Sequence, residues 1–245
     1  MMKRRPLGRL FFMVLYLYWN SSQPMTPDAW LSLVKQQRAI AVIRAPDLNQ
    51  GIAMARAVAD GGMQLIEITW NSHEPAALVS HLRQALPECC IGAGTILSVQ
   101  EAQDAIAAGA TFCISPHTDL DVIQYCREYQ VAVVPGVLTP NEILKAWQAG
   151  ATAVKVFPIN TMGGAAYIRS LQGPIGHIPL LPTGGVTLDN AHHLIRAGAT
   201  GVGLSSSLFK QAMVTNGQWQ AVTQLARALL QSLRDDSPGP GDGPE

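Results

Sequence analysis

The chain has 245 residues, 48% of them hydrophobic, and 17 basic residues balance 17 acidic ones, so that the formal net charge is zero. This length and apolar content suit one α/β barrel or two small domains around a large core. The balanced charge excludes the strongly basic class of nucleic-acid-binding proteins and favours no acidic membrane surface as a partner.

The two ends of the chain differ in composition from the rest. Residues 1–24 join a basic start to an apolar run over residues 10–19. That run is about half the ~20 residues that a membrane span requires. We expect no membrane partner for the barrel itself. Residues 1–24 are either an extension upstream of a start at Met25 or a targeting or membrane-associating segment. Residues 234–245, rich in Pro, Gly and acids, are predicted to be a disordered tail.

Eight short apolar runs alternate with amphipathic stretches in the rest of the chain. Because the runs are apolar throughout, they indicate parallel strands buried on both faces, and the stretches between them have helical periodicity. Eight such units predict an α/β fold, a single-domain (β/α)8 TIM barrel over residues 25–233; a doubly wound sheet is the alternative. An extra N-terminal helix, capped by Thr26 or Asp28, is expected to cover the bottom of the barrel. The runs are residues 39–44, 64–69, 90–95, 112–116, 131–136, 153–158, 179–185 and 201–206.

The tetrapeptide AGAT precedes the fourth, sixth and eighth runs and predicts a helix end followed by a strand entry. Counting from its glycine, the fifth residue is Ile114, Lys155 or Gly203. A buried ammonium group is costly unless it is paired or neutral. Lys155 is therefore either half of a structural ion pair, with Glu67 as the partner, or an amine of lowered pKa that forms a Schiff base.

Two further charged residues lie in the apolar runs. Counted from Gly62, Glu67 has the same fifth position as Lys155. A carboxylate near a lysine acts either in a salt bridge or as a general acid/base. Arg44 ends the first run, where it either holds a substrate carboxylate or caps the barrel rim.

Glycine and serine follow the last two runs. Gly184 and Gly185 stand in PTGG, and Ser205 and Ser206 stand in GLSSS. Loops after the seventh and eighth barrel strands commonly bind phosphate through backbone N–H groups and hydroxyls. The alternative is a pair of tight turns that merely need glycine.

No motif indicates a metal or a cofactor, and we expect neither. His73 and His117 lie in loops without a partner at ligand spacing, and there is no dinucleotide or Walker fingerprint. The cysteines form no CxxC pair; Cys89 and Cys90 are predicted to be buried, which fits a reducing, cytoplasmic compartment.

Several motifs together resemble one enzyme family. The segments LIEIT, IGAGTIL, ISP, VVPGVLTPNE, VKVFP and PTGGV, in this order, resemble the 2-keto-3-deoxy-6-phosphogluconate (KDPG) and 4-hydroxy-2-oxoglutarate (KHG) aldolases. The resemblance implies a class I aldolase without a cofactor, commonly a homotrimer. It also implies cleavage of a phosphorylated keto acid to pyruvate and an aldehyde.

The resemblance also implies roles for individual residues. Lys155 matches the Schiff-base lysine of the K-x-F-P motif, and Glu67 matches the general acid/base. The substrate-binding matches are Thr95, Pro116, Phe157 and Thr183; the phosphate-binding matches are Gly184, Gly185, Ser205 and Ser206.

One departure from the family pattern concerns the substrate carboxylate. After Glu67 this chain reads TWNS where the gluconate-type enzymes read TLRT, with an arginine for the carboxylate. TWNS is closer to the PLNS of phosphogalactonate aldolases, which carry an arginine at the end of strand 1, matched here by Arg44. The resemblance thus implies that Arg44 binds the substrate carboxylate.

The alternatives to an aldolase are a phosphate-binding barrel isomerase or synthase, and a non-catalytic barrel that binds a sugar phosphate.

Overall fold

The computed structural model describes residues 25–235, in which strands and helices alternate. The strands are β1 (Ala39–Ile43), β2 (Leu65–Thr69), β3 (Cys90–Gly94), β4 (Phe112–Ile114), β5 (Ala132–Val134), β6 (Gly136–Val137), β7 (Val154–Val156), β8 (Leu180–Pro182) and β9 (Val202–Leu204). The helices are α1 (Pro27–Gln37), α2 (Leu48–Asp60), α3 (Pro75–Ala85), α4 (Val99–Ala107), α5 (Leu120–Glu128), α6 (Pro140–Gln148), α7 (Ala165–Ile175), α8 (Ala191–Arg196), α9 (Gln211–Thr215) and α10 (Trp219–Asp235). A 3-10 helix, Ile159–Met162, follows β7. Every predicted apolar run contains a strand.

The strands close into a ring of parallel neighbours. One part has the order β5-β4-β3-β2-β1-β9 and the other β6-β7-β8. The short strand β5 lies in the fifth run, and β6 begins at the last residue of that run; between them stands Pro135, which has no N–H for the ladder. A parallel bridge between Thr183 and Gly203 joins the end of β8 to β9. The predicted (β/α)8 barrel is confirmed, and the doubly wound sheet is excluded.

Helix α1 covers the N-terminal end of the barrel, as expected. The Thr26 hydroxyl accepts a hydrogen bond from the Ala29 N–H at 3.2 Å and so begins the helix. Trp30 and Val34 pack into the interior cluster with residues near the starts of the strands, among them Leu65 and Phe112. A larger cluster fills the layer between the strands and the outer helices.

The AGAT repeat has the predicted scaffold role. Helices α4, α6 and α8 each end just before or at its first alanine. The next residue, Gly109, Gly150 or Gly198, has a φ between 94° and 105°. That left-handed conformation is readily adopted only by glycine, so the tetrapeptide ends a helix wherever it occurs.

The predictions for residues 1–24 lie outside the described residues. Helix α10 continues through Asp235, and the rest of the predicted tail, residues 236–245, also lies outside them. Among residues 25–235, no helix combines the length and the apolar character that crossing a membrane requires.

Candidate active site

The predicted site residues gather at one end of the barrel. Glu67 and Lys155 lie within β2 and β7, and the others follow the C-terminal ends of strands. This is the end at which (β/α)8 enzymes carry out their chemistry. The residues beyond strand ends are Arg44 after β1, Thr95 after β3, Pro116 after β4, Phe157 after β7, Thr183, Gly184 and Gly185 after β8, and Ser205 and Ser206 after β9.

Lys155 points into the barrel. Its neighbours Val154 and Val156 belong to the cluster between strands and helices, so the alternation of a strand turns Lys155 to the interior. Only 7% of the residue is exposed to solvent. The side-chain nitrogen Nζ lies 5.1 Å from the centroid of the Phe157 ring, which is two residues further along the same face.

Glu67 faces the same interior from β2. Ile66 and Ile68 turn outward, and the Glu67 side chain is 2% exposed. Its buried oxygen Oε1 has no hydrogen-bond partner among residues 25–235. Burial raises the pKa of the Glu67 carboxyl group, and the positive charge of Lys155 opposes that rise. A carboxyl group whose pKa is raised by burial is a candidate general acid/base.

Lys155 and Glu67 are near each other but are not bonded. Within residues 25–235 the two side chains form no ion pair, and Oε1 of Glu67 stays unpaired, although the charge of Lys155 acts on the carboxyl group. A structural ion pair would bring the two charges into direct contact to offset the cost of their burial. The geometry therefore disfavours the purely structural interpretation of Lys155.

Three predicted site residues lie against a glycine of a neighbouring strand. A Cβ built on Gly94 would collide with the Glu67 carboxyl group, and one built on Gly136 would collide with the backbone carbonyl of Pro116. A Cβ on Gly203 would lie 2.6 Å from the Thr183 hydroxyl oxygen. A fourth interior glycine, Gly92, has the same relation to the ring of Phe112. The glycines leave room for these groups inside the barrel.

The loops after β8 and β9 form a polar edge beside this interior. Gly184 and Gly185 have φ values of 85° and 82°, and Ser205 and Ser206 are exposed. The Ser207 hydroxyl donates to the Val186 carbonyl at 3.1 Å and joins the two loops. Within the described part of the chain, the backbone N–H groups of Gly185 and Ser206 donate to no protein acceptor. Such N–H groups and hydroxyls suit an anion.

Two asparagines support this edge, and sequence reasoning missed both. Asn190 donates from Nδ2 to the Gly185 carbonyl at 3.0 Å. Asn160 packs so closely on Gly185 that a Cβ there would collide with its side chain, and its N–H donates to the Gly184 carbonyl at 3.2 Å. Their only sequence signal is position, since each lies a few residues from a glycine pair in a loop.

Arg44 and Thr95 lie at the rim. The Arg44 side chain is exposed, and among the described residues it forms no hydrogen bond or ion pair. Thr95 is half-buried with a φ of 58°, an uncommon value for a β-branched residue. Unusual backbone conformations of this kind are concentrated at functional sites.

The cysteines lie away from this chemistry. All four are unpaired and buried, as predicted for Cys89 and Cys90, and burial raises the pKa of each of these two thiols to about 11. Both are therefore protonated at neutral pH and are poor nucleophiles. Residues 25–235 contain no group of three His, Cys, Asp or Glu side chains arranged for a metal ion.

Comparison with known proteins places the chain in a family. The family model of the KDPG and KHG aldolases matches residues 31–225. The chain belongs to this family. The resemblance noted in the sequence is confirmed, and with it the enzyme class, an aldolase and hence a lyase. The isomerase, the synthase and the non-catalytic barrel are set aside.

Individual aldolases are similar along most of their length. The 2-dehydro-3-deoxy-phosphogluconate aldolase of Treponema pallidum is 32% identical, over 81% of this chain and 94% of that protein. A structure described as native KDPGal is 30% identical, with a TM-score of 0.75, over 81% of this chain and 95% of its own. The KDPG aldolase of Legionella pneumophila, solved with pyruvate captured as a covalent carbinolamine intermediate, is 25% identical, with a TM-score of 0.76, over 83% and 97% of the two chains.

Proposed function

We propose that the protein is a class I aldolase that cleaves a phosphorylated 2-keto-3-deoxy sugar acid to pyruvate and glyceraldehyde 3-phosphate. One observation carries the proposal: a buried lysine and a buried carboxyl group face one barrel interior without forming an ion pair. The carbinolamine captured in the Legionella enzyme supports the same covalent chemistry.

The chemistry begins at Lys155. The neutral amine attacks the C2 ketone, and loss of water gives an iminium ion, which withdraws electrons from C3. Glu67, as the carboxylate, removes the proton of the C4 hydroxyl, directly or through a water molecule. The C3–C4 bond then breaks, the aldehyde leaves, and the bonding electrons form an enamine. Glu67 returns its proton to C3, and water hydrolyses the pyruvate iminium. The iminium ion formed from the protein's own amine is the electron sink for this cleavage, so the sequence indicates no cofactor.

The other site residues bind the two ends of the substrate. In this proposal Arg44 binds the carboxylate, since its planar guanidinium group is exposed at the rim and has no partner within residues 25–235. The loops with Gly184, Gly185, Ser205 and Ser206 bind the distal phosphate. Thr95, Pro116, Phe157 and Thr183 line the space between these ends.

Borohydride reduction in the presence of pyruvate tests the covalent step. We expect a reduced pyruvyl adduct that peptide mass spectrometry maps to Lys155 and that is lost in Lys155→Arg. Lys145→Arg, which changes an exposed lysine of α6, is the control and should keep the adduct. An adduct on another lysine, or none, would overturn the proposal. Release of pyruvate from KDPG and from its galactonate epimer, followed with a coupled dehydrogenase, then measures turnover and epimer preference.

A homotrimer and a cytoplasmic location, both expected from the sequence, remain part of this proposal. Four unpaired cysteines are in keeping with a reducing compartment. Light scattering after size-exclusion chromatography measures the oligomer. Cell fractionation with sequencing of the mature N-terminus locates the protein and distinguishes Met1 from Met25.

A further inference from the structure

The loop after β1 is tied to the loop after β2 on both sides of Ala45. The Ala45 N–H donates to Oγ of Ser72 at 2.9 Å, and the Ala45 carbonyl accepts from the His73 N–H at 3.0 Å. The first of these groups belongs to the peptide that joins Arg44 to Ala45. The backbone of Arg44 is therefore held from the neighbouring loop as well as by its own strand.

Ser72 is itself attached to β2. Its N–H donates to the Thr69 carbonyl at 2.9 Å, and its hydroxyl lies 3.2 Å from the Thr69 hydroxyl. Thr69 is buried and lies two residues after Glu67, so it shares the interior face of the strand. The Ser72 hydroxyl thus connects the backbone of Arg44 to the strand that carries the proposed acid/base.

The Arg44 side chain has no comparable support. It is exposed and, among the described residues, forms no hydrogen bond or ion pair. A free arginine has many rotamers to lose when it binds, and a misplaced backbone would add to that cost. A hydrogen bond to the peptide after Arg44 fixes the backbone from which the guanidinium group extends, and it leaves the N–H groups of the guanidinium available to the substrate.

We propose that Ser72 is a positioning residue that holds Arg44 for the carboxylate of the 2-keto acid. The inference rests on the proposed function, in which Arg44 binds that carboxylate. Ser72 then helps to determine the preference for charged 2-keto acids over neutral ketones. It does so through its hydrogen bond to the backbone and makes no contact with the substrate.

Comparing a charged ligand with a neutral one distinguishes a positioning role of Ser72 from a general effect on stability. Borohydride reduction of the Lys155 imine is measured at increasing pyruvate and at increasing pyruvamide, which lacks the charge. For Ser72→Ala we expect the half-saturating pyruvate concentration to rise about tenfold, the effect of losing one well-formed hydrogen bond, and that of pyruvamide to stay unchanged. Ser72→Thr keeps the hydroxyl and should restore the pyruvate value. A loss of folded protein lowers the amplitude of labelling, not the half-saturating concentration.

Two further variants complete the test. Ser80→Ala removes a half-buried hydroxyl that donates to the Ala108 carbonyl at 2.9 Å, and it should change neither ligand's value. In an Arg44→Gln background Ser72→Ala should add nothing, because the group that it positions is gone. If Ser72→Ala folds too poorly, Ser72→Cys, a weak acceptor of similar shape, replaces it.

The outcomes differ for the two proposals. Equal effects on pyruvate and pyruvamide, or a further tenfold loss in the Arg44→Gln background, would overturn the role of Ser72 and leave the aldolase intact. Failure of the unchanged protein to form a Lys155 adduct would overturn the aldolase itself, and this inference with it.

Discussion

The carboxyl group of Glu67 lies against Gly94 of the neighbouring strand, in space that any side chain at residue 94 would occupy. The burial that raises the pKa of Glu67 therefore depends on a missing Cβ in β3. A glycine without a functional group thus determines where the proposed acid/base can lie.

Gly94→Ala should slow cleavage strongly while leaving the protein folded. The new methyl group displaces the carboxyl group, and we expect kcat for cleavage to fall about 100-fold, the lower range for losing a general acid/base. Overpacking should lower the free energy of unfolding by about 1–3 kcal/mol. Coupled assays and urea denaturation measure both. Gly173→Ala is the control, because a Cβ there would meet no other part of the described chain within 4 Å beyond its own helix backbone. Unchanged kcat in Gly94→Ala would contradict the assignment of Glu67.

Glu67 should make stability fall as pH rises. The reference pKa of a glutamate is 4.5, and burial raises that of Glu67 in the folded protein. Between the reference pKa and the raised pKa of Glu67, the folded state binds more protons than the unfolded state. The stabilisation that protonated Glu67 contributes is therefore complete below pH 4.5 and is lost as pH rises through the folded pKa. Glu67→Gln cannot lose a proton. The free energy of unfolding of Glu67→Gln minus that of the unchanged protein should therefore increase with pH in this window, by up to about 1.4 kcal/mol per pH unit.

Glu142→Gln is the comparison variant for the same urea measurements, because the pKa of Glu142 is shifted in the opposite direction to that of Glu67. Backbone N–H groups of Thr139 and Leu138 donate to the Glu142 carboxylate and lower its pKa. Its contribution is present above pH 4.5 and is lost as pH falls through the folded pKa. The difference between Glu142→Gln and the unchanged protein should therefore stay flat above pH 4.5. A flat difference for Glu67→Gln as well would show that Glu67 is not buried as described.

The pH dependence of cleavage should have an acid limb above pH 4.5. Cleavage needs the Glu67 carboxylate, and burial raises its pKa from 4.5, so kcat/KM should increase with pH through that raised value. In Glu67→Gln this limb should disappear and the rate should fall at least about 100-fold. Steady-state rates from pH 4 to pH 9 measure the profile. Retention of the same limb in Glu67→Gln would assign it to another group.

Gly185→Ala should weaken phosphate binding without affecting pyruvate. The backbone there has a φ of 82°, and a Cβ would collide with Asn160, so the loop must shift. Losing one hydrogen bond to a charged group should raise KM for the phosphorylated substrate roughly 10-fold or more. Half-saturation of imine trapping by pyruvate, which has no phosphate, should stay the same. Gly217→Ala, also at positive φ but outside the barrel loops, is the control for backbone strain and should keep KM.

The barrel and its central pair could be predicted because both follow from periodicity. Continuous apolar runs mark strands buried on both faces, and the AGAT frame places Lys155 where related strands have Ile114 or Gly203. Once the strand alternation is known, the inward direction of Lys155 and Glu67 follows.

Contacts between loops could not be predicted in the same way. The bond from Ala45 to Ser72 joins residues 27 apart, and the packing of Asn160 on Gly185 joins different loops. Neither leaves a local pattern, since both depend on the register and tilt of neighbouring strands. The absence of an ion pair between Lys155 and Glu67 depends on the rotamers of the two side chains, which a sequence does not specify.

The four interior glycines have a consequence for protein engineering. Gly92, Gly94, Gly136 and Gly203 each lie against a neighbouring group, and for three of them that group belongs to the proposed site. In a saturation-mutagenesis screen they should be intolerant to every replacement, with a profile that resembles that of reactive residues. Libraries that aim to broaden the range of substrates should therefore leave these positions constant and vary the rim.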